Sequence, residues 1–320
     1  MVTETRRIAV IFPGQGSQTI GMMNELAQSF DVVQQTFAEA SDALGFDLWQ
    51  ITVDEERLHK TEYTQPALLA SSVAIWRILQ DKFNHHGISP LYLAGHSLGE
   101  YSALVASGVI NLKDAVCLVH ERGKLMTSAV LGMDTQMAAV LGLSDEQVIS
   151  LCESAKETVG IVNPANFNSP GQVVIAGTAL GVSEVLTAVE ALGKKAVLLK
   201  VSVPSHCELM NPASEALAEI LAKTTFNSAK IAVIQNRHAC VHKATSEIKT
   251  ALTEQLSMPV QWAKTMQVLA EKHIDLLIEC GPGNVLSNLA KRQATPILAL
   301  PTDKLARLEK LDEQLGAKHE

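Results

Sequence analysis

"YLAGHSLGEYSALVASG", residues 92–108, joins a short apolar run to a helical pattern through a turn in which Ser97 stands between two glycines. A strand that breaks sharply into a helix is the setting the G-x-S-x-G motif needs: the turn holds the serine in a strained backbone and leaves its hydroxyl exposed. Ser97 is therefore a candidate nucleophile. A serine that only caps the helix, with glycines for the turn, is the other reading these residues allow. Glu100, in the first helical turn, suits the positive end of the helix dipole and needs no chemical role.

The same alternation recurs along the chain. "RRIAVIF" precedes "MMNELAQSF", "PLYLAG" precedes "EYSALVASG", and "IDLLIECG" precedes "NVLSNLAKR". Strands alternating with helices imply an α/β architecture with parallel strands and crossover helices. Between about residues 129 and 204 the order becomes strand, helix, strand, helix, strand, carried by "TQMAAVLGL", "SDEQVISLCESAKE", "GQVVIAGT", "SEVLTAVEALG" and "AVLLKVSV". This predicts a small α+β unit of the split βαβ kind, residues 129–204, inserted into a larger α/β domain made of 1–128 and 205–320. The end, "KLARLEKLDEQLGAKHE", predicts a solvated helix or a frayed tail.

Composition narrows the function. The 320 residues are 47% hydrophobic, enough for one large core or two modest ones. With 26 Lys and Arg against 34 Asp and Glu, the net charge of −8 gives no general attraction to nucleic acid or to an anionic membrane. No apolar run reaches membrane-spanning length, and "MVTETRRIAVIF" lacks the pattern of a secretory signal, so the expected setting is cytoplasmic. The five cysteines are scattered and never spaced C-x-x-C, which suits reduced thiols. His238, Cys240 and His242 in "HACVH" share one face of a possible strand; without a fourth ligand nearby the segment reads as an edge or loop, and no metal is expected.

A serine hydroxyl needs a base. In "VSVPSHCELM", Pro204 ends a strand and His206 follows in the loop just beyond, where catalytic groups are commonly carried. His96 adjoins the serine but points away if the turn is sharp, and His85, His86 and His319 lie in polar, solvated segments. No aspartate in a similar setting stands out as a third member; a backbone carbonyl could orient the imidazole instead. In "LKDAVCLVHERGKLM", Arg122 falls within the stripe formed by Ala115, Leu118, Val119, Leu125 and Met126. A guanidinium there needs an anion, supplied either by a protein carboxylate or by a carboxylate or phosphate of a ligand. "VIFPGQGSQTIG" carries a strand into a glycine-rich loop, but Thr19 replaces the third glycine of a dinucleotide fingerprint and no lysine makes it a Walker loop. Its amides suit an oxyanion, with Gln15 and Leu98 as the two donors.

Taken in order, "FPGQGSQ", "TQPALL", "AGHSLGEYSALVASGV", "ERGKLM", "NFNSPGQVVIAG", "VSVPSHC" and "ECGPGNVL" make the chain resemble the malonyl-CoA:acyl carrier protein transacylases of bacterial fatty-acid synthesis, from about residue 6 to 290. The segment around "QNRHACVHKATSEIK" and the tail lie outside that pattern. The resemblance implies an α/β-hydrolase-like domain with an inserted ferredoxin-like one, Ser97 as the acylated nucleophile, His206 as its base and Arg122 as the ligand of the malonyl carboxylate. It also implies that Gln15 lines the oxyanion hole and that the main-chain carbonyl of Gln255, in "QLSMP", orients the histidine. Malonyl-CoA is then a substrate, acyl carrier protein the partner, and no cofactor is required. A hydrolase or thioesterase fits Ser97 and His206 equally well but has no need of a buried cation, and a non-catalytic carrier-docking protein has no need of any of the three. A polyketide-type acyltransferase using another acid is a further alternative.

Overall fold

The computed structural model describes residues 6–201 and 203–316. Within them ten strands form two sheets: β1 (Ile8–Phe12), β2 (Tyr92–Gly95), β3 (Thr135–Leu141), β4 (Val162–Ser169), β5 (Gln172–Thr178), β6 (Lys195–Leu198), β7 (Ala232–Gln235), β8 (Cys240–Val241), β9 (Leu276–Glu279) and β10 (Leu298–Pro301). The larger sheet has the order β10-β9-β1-β2-β7-β8 and is parallel except for the last pair. The smaller is antiparallel, in the order β4-β5-β3-β6. The protein is thus a mixed α/β fold with a parallel-rich sheet and a separate antiparallel one.

β1 lies inside the parallel sheet and is apolar throughout because both of its faces are covered. Ile8, Val10 and Phe12 face the larger core, shared with the helix Thr61–His86, while Ala9 and Ile11 face a second core with Trp262 and Met266. The helix Thr61–His86 runs through the larger core despite Pro66 in its second turn. Proline offers no N–H to the Glu62 carbonyl four residues back. His120 Nδ1 takes up that acceptor at 2.7 Å, from the facing helix Leu112–Ala129. The two helices come close because residue 123 is glycine: a Cβ there would press into the Glu62 backbone. That approach fixes the depth of Arg122.

Several expectations change. The segment after the helix Asp145–Thr158 holds two strands, β4 and β5, where one was expected; β4 escaped notice because "VNPANFNS" is polar, broken by Pro164, and paired to β5 with two register shifts. The helix expected near the chain end forms over Leu305–Gly316 but is not merely solvated: Leu308 and Leu311 are buried, and Lys82 bonds Asp312; residues 317–320 of that stretch lie outside the described residues. His86 is drawn into this contact, 3.5 Å from Asp312, whereas His85 is exposed and His319 lies outside the described residues. Among its described residues, "AVLLKVSV" is a strand only as far as Leu198. No helix among the described residues is long and apolar enough to cross a membrane.

Candidate active site

β2 ends at Gly95, and the chain reverses through His96 and Ser97 into the helix Gly99–Ala106. Ser97 has φ 52°, a left-handed conformation that costs a residue with a side chain free energy on the order of 1–3 kcal/mol. Both motif glycines are steric necessities. A Cβ on Gly95 would enter the Gly99 backbone, and one on Gly99 would enter the end of β1 at Phe12. The turn is held from the neighbouring strand, where Asn236, just past β7, accepts from Ser97 N–H at 2.6 Å through Oδ1 and donates through Nδ2 to Gly95 C=O.

His206 also has a left-handed backbone, φ 63°. Its Nε2 lies 2.7 Å from Ser97 Oγ, and its Nδ1 lies 2.6 Å from the main-chain oxygen of Gln255. A carbonyl can only accept, so Nδ1 carries the proton and Nε2 presents its lone pair to the serine hydroxyl. Burial, with the nearby Arg122 charge second, lowers the His206 pKa to about 3, so the ring is neutral at physiological pH.

Arg122 is 1% exposed, and no carboxylate among the described residues lies within ion-pair distance of it. Its Nη1 donates to Gln65 Oε1 at 2.8 Å and its Nη2 to Gln255 Oε1 at 3.1 Å, while Nε has no partner among the described residues. The guanidinium also lies 5.5 Å from the centre of the Tyr101 ring. Two neutral acceptors hold the cation without an ion pair, and Glu100, on the far side of Gln255, attracts it from a distance.

Ser97 and His206 open onto a pocket of about 90 Å³ between the two sheets. Gln15 and His96 contribute from the parallel sheet's strand ends; Met137, Leu199, Val201 and Val203 contribute an apolar wall from β3 and the segment after β6. Arg122 does not line this pocket; it lies one hydrogen-bonded residue behind it, through Gln255. The amides of Gln15 and Leu98 have no acceptor among the described residues, and the Gln15 side chain is anchored to Thr61 Oγ1 at 3.3 Å. His96, expected to point away, does turn from Ser97: its Nε2 is 2.8 Å from Asn168 Oδ1 and its ring packs on Trp262. It nevertheless forms part of the pocket wall. Among the described residues no group of three or more His, Cys, Asp or Glu side chains is arranged to hold a metal ion.

Sequence reading passed over three residues of this network. Glu100, assigned nothing beyond the helix dipole, is fully buried, and its Oε2 accepts from Asn236 N at 3.0 Å and Gln255 Nε2 at 2.8 Å. Burial raises its pKa to about 7. Gln65 sits in "TQPALL", a pattern noticed as a block but not as a ligand of Arg122, and Asn236 sits in the segment that carried no pattern at all.

The acyl transferase domain family matches residues 10–305. The chain is 50% identical over 289 residues to "Malonyl CoA-acyl carrier protein transacylase" of Escherichia coli O157:H7, covering 89% of this chain and 92% of that protein. It is 45% identical to the protein of the same name in Haemophilus influenzae, covering 97% and 99%. Among solved structures, FabD from Acinetobacter baumannii superposes with a TM-score of 0.93 at 50% identity, over 97% of this chain and 98% of that one. A malonyl-transacylase solved in complex with its type II polyketide acyl-carrier protein, titled "PlMCAT:AntF (holo)", superposes with a TM-score of 0.92 at 46% identity, over 96% and 99%. An acyl transferase match over residues 10–305 and relatives 45–50% identical over most of the chain leave one conclusion: the chain belongs to the malonyl CoA-acyl carrier protein transacylase family.

Proposed function

We propose that this protein transfers a malonyl group from malonyl-CoA to the phosphopantetheine thiol of an acyl carrier protein in fatty-acid synthesis, by a ping-pong mechanism on a Ser97–His206 dyad in the cytoplasm, with no cofactor. The scaffold fits an α/β-hydrolase-like domain, residues 1–128 and 205–320, with a ferredoxin-like insert at 129–204. The βαββαβ order of the insert and its β4-β5-β3-β6 sheet support that reading.

Ser97 gives its proton to His206 Nε2 as Oγ attacks the thioester carbonyl, and the Gln15 and Leu98 amides face the oxyanion. The C–S bond then breaks, and the CoA thiolate takes the proton from Nε2. In the second half the carrier thiol gives its proton to Nε2 and attacks the malonyl-serine ester, and Ser97 Oγ leaves with that proton. Gln255 C=O keeps the imidazole in the required tautomer throughout. Arg122 binds the malonyl carboxylate. A carboxylate there also cancels the charge that opposes protonation of His206, so the base gains strength when the correct acyl group is bound.

The observation that carries the reading is a fully buried arginine held by two glutamine carbonyls beside the serine–histidine pair; a simple hydrolase has no use for it. Incubation with radiolabelled malonyl-CoA, with and without carrier protein, tests the proposal. Label should pass to the carrier much faster than it appears as free malonate. Malonate release at the same rate without carrier would make the protein a thioesterase.

Arg122→Ala should change which acyl group is accepted. Losing one partner of a buried charge pair costs on the order of 2–5 kcal/mol, so kcat/KM for malonyl-CoA should fall at least ~30-fold. Acetyl-CoA has no carboxylate to strand, and the malonyl-to-acetyl ratio should collapse. An unchanged ratio with a lowered Tm would reduce Arg122 to a structural role.

Carrier docking should use Lys291 and Arg292, both exposed just after the helix Val285–Ala290, with Lys194 and Lys195 as a second basic pair. Their neighbour Gln293 donates to Asn168 C=O, whose side chain holds His96, so this surface connects directly to the pocket wall. Reversing both charges should raise KM for an acidic carrier and leave that for malonyl-CoA unchanged. Equal changes in both would move docking elsewhere.

A further inference from the structure

Gln255 does three things at once, and its side chain can do them in only one orientation. Its main-chain oxygen holds His206 Nδ1, its Oε1 accepts from Arg122 Nη2, and its Nε2 donates to Ser97 C=O at 3.1 Å and to Glu100 Oε2. Turned over, the amide would present N–H to the Arg122 guanidinium and oxygen to two acceptors. Ser97 C=O alone is a weak determinant, because the elbow itself needs to be held. Glu100 holds both pieces: the same Oε2 that accepts from Gln255 accepts from the Asn236 amide, and the Asn236 side chain clamps Gly95 and Ser97. A lone buried carboxylate would be costly here unless its partners were ordered around it.

We propose that Glu100 is a positioning residue for acyl selection, fixing the Gln255 amide so that Arg122 keeps its acceptor and remains aimed at the substrate carboxylate. The inference rests on the serine acyl-transfer reading above. Glu100 touches neither substrate nor the reacting atoms, and it acts through Gln255 and Asn236. What matters is an acceptor at Oε2; Glu100 Oε1 has no partner among the described residues. Glutamine at this position can therefore place its own Oε1 on the two donors and its amide nitrogen in the unpartnered position.

Three variants test this against kcat/KM for malonyl-CoA and acetyl-CoA, with Ser97→Ala as the control for the underlying chemistry. Glu100→Met should lower the malonyl-to-acetyl ratio about tenfold, the scale of losing hydrogen bonds to a charged group. Glu100→Gln should restore the ratio to within about threefold of wild type. Should Glu100→Met not fold, Glu100→Ala removes the same acceptor with less bulk and should lower the ratio equally. A wild-type ratio in the variants that remove the Glu100 acceptor, or a ratio that collapses as far in Glu100→Gln, overturns the inference. Ser97→Ala that still takes up a malonyl group would instead overturn the acyl-transfer reading beneath it.

Discussion

Ser97→Ala should abolish the malonyl-enzyme adduct. In the proposed mechanism this hydroxyl becomes the ester, and among the described residues the other hydroxyl lining the pocket is that of Ser205, with no hydrogen bond to the base. Removing such a serine from a hydrolase costs on the order of 10⁶-fold in kcat, and a similar fall is expected in transfer to carrier. The fold should survive, because alanine suffers the same left-handed backbone that serine already does, and the turn is clamped through the Ser97 main chain rather than its side chain. Intact-protein mass spectrometry after incubation with malonyl-CoA reads the result. A mutant that still gains one malonyl mass places the nucleophile elsewhere.

His206→Ala should slow acylation by ~10² to 10⁴-fold, the usual worth of a general base, without removing the adduct that slowly forms. Wild-type rates in a single-turnover assay would shift the base to His96, the other imidazole at the pocket. The pH dependence of the intact enzyme carries a sharper signature. Burial and Arg122 lower the His206 pKa from 6.5 to about 3, so the neutral ring persists as pH falls through the range where an ordinary histidine takes up a proton. Acylation should therefore show no titration centred near 6.5. The sign for stability is the reverse of a benefit at low pH: between the two pKa values the unfolded chain binds a proton that the folded one refuses, so stability attributable to His206 is lost as pH falls below about 6.5. Glu100 titrates near pH 7, but a proton on its unpartnered Oε1 leaves both acceptor contacts of Oε2 intact. A rate profile with a midpoint at 6.5 would mean that water reaches the imidazole in solution.

What could be read from the chain in advance was whatever is written in adjacent residues. The elbow around Ser97 needs only a strand, two glycines and a helix in sequence, and those three signals are local. Arg122 stood out because a charge within an apolar stripe is anomalous on its own helix. β4 was lost because its polar residues sit at a bulged edge where the period of two breaks down. The contacts of Glu100 were illegible for a different reason: its partners Asn236 and Gln255 lie 136 and 155 residues away, and a carboxylate at a helix start has an adequate local explanation that conceals the distant one. The Gln255 carbonyl came from resemblance alone, since a main-chain oxygen leaves no mark on the residue type. The Ser97–His206 pairing spans 109 residues and required the fold to bring the two loops together.

Ser97 and His206 share one conformational oddity, a backbone that only glycine adopts freely. Each position would be relaxed by losing its side chain altogether, and each is where the proposed chemistry resides. Selection for heat resistance alone, with no demand for turnover, would therefore push this chain toward glycine at 97 and 206 and produce a sturdier, inert protein. Breeding a hardier version of this enzyme means scoring product at every round, because at these two sites a rising melting temperature is a sign of lost activity.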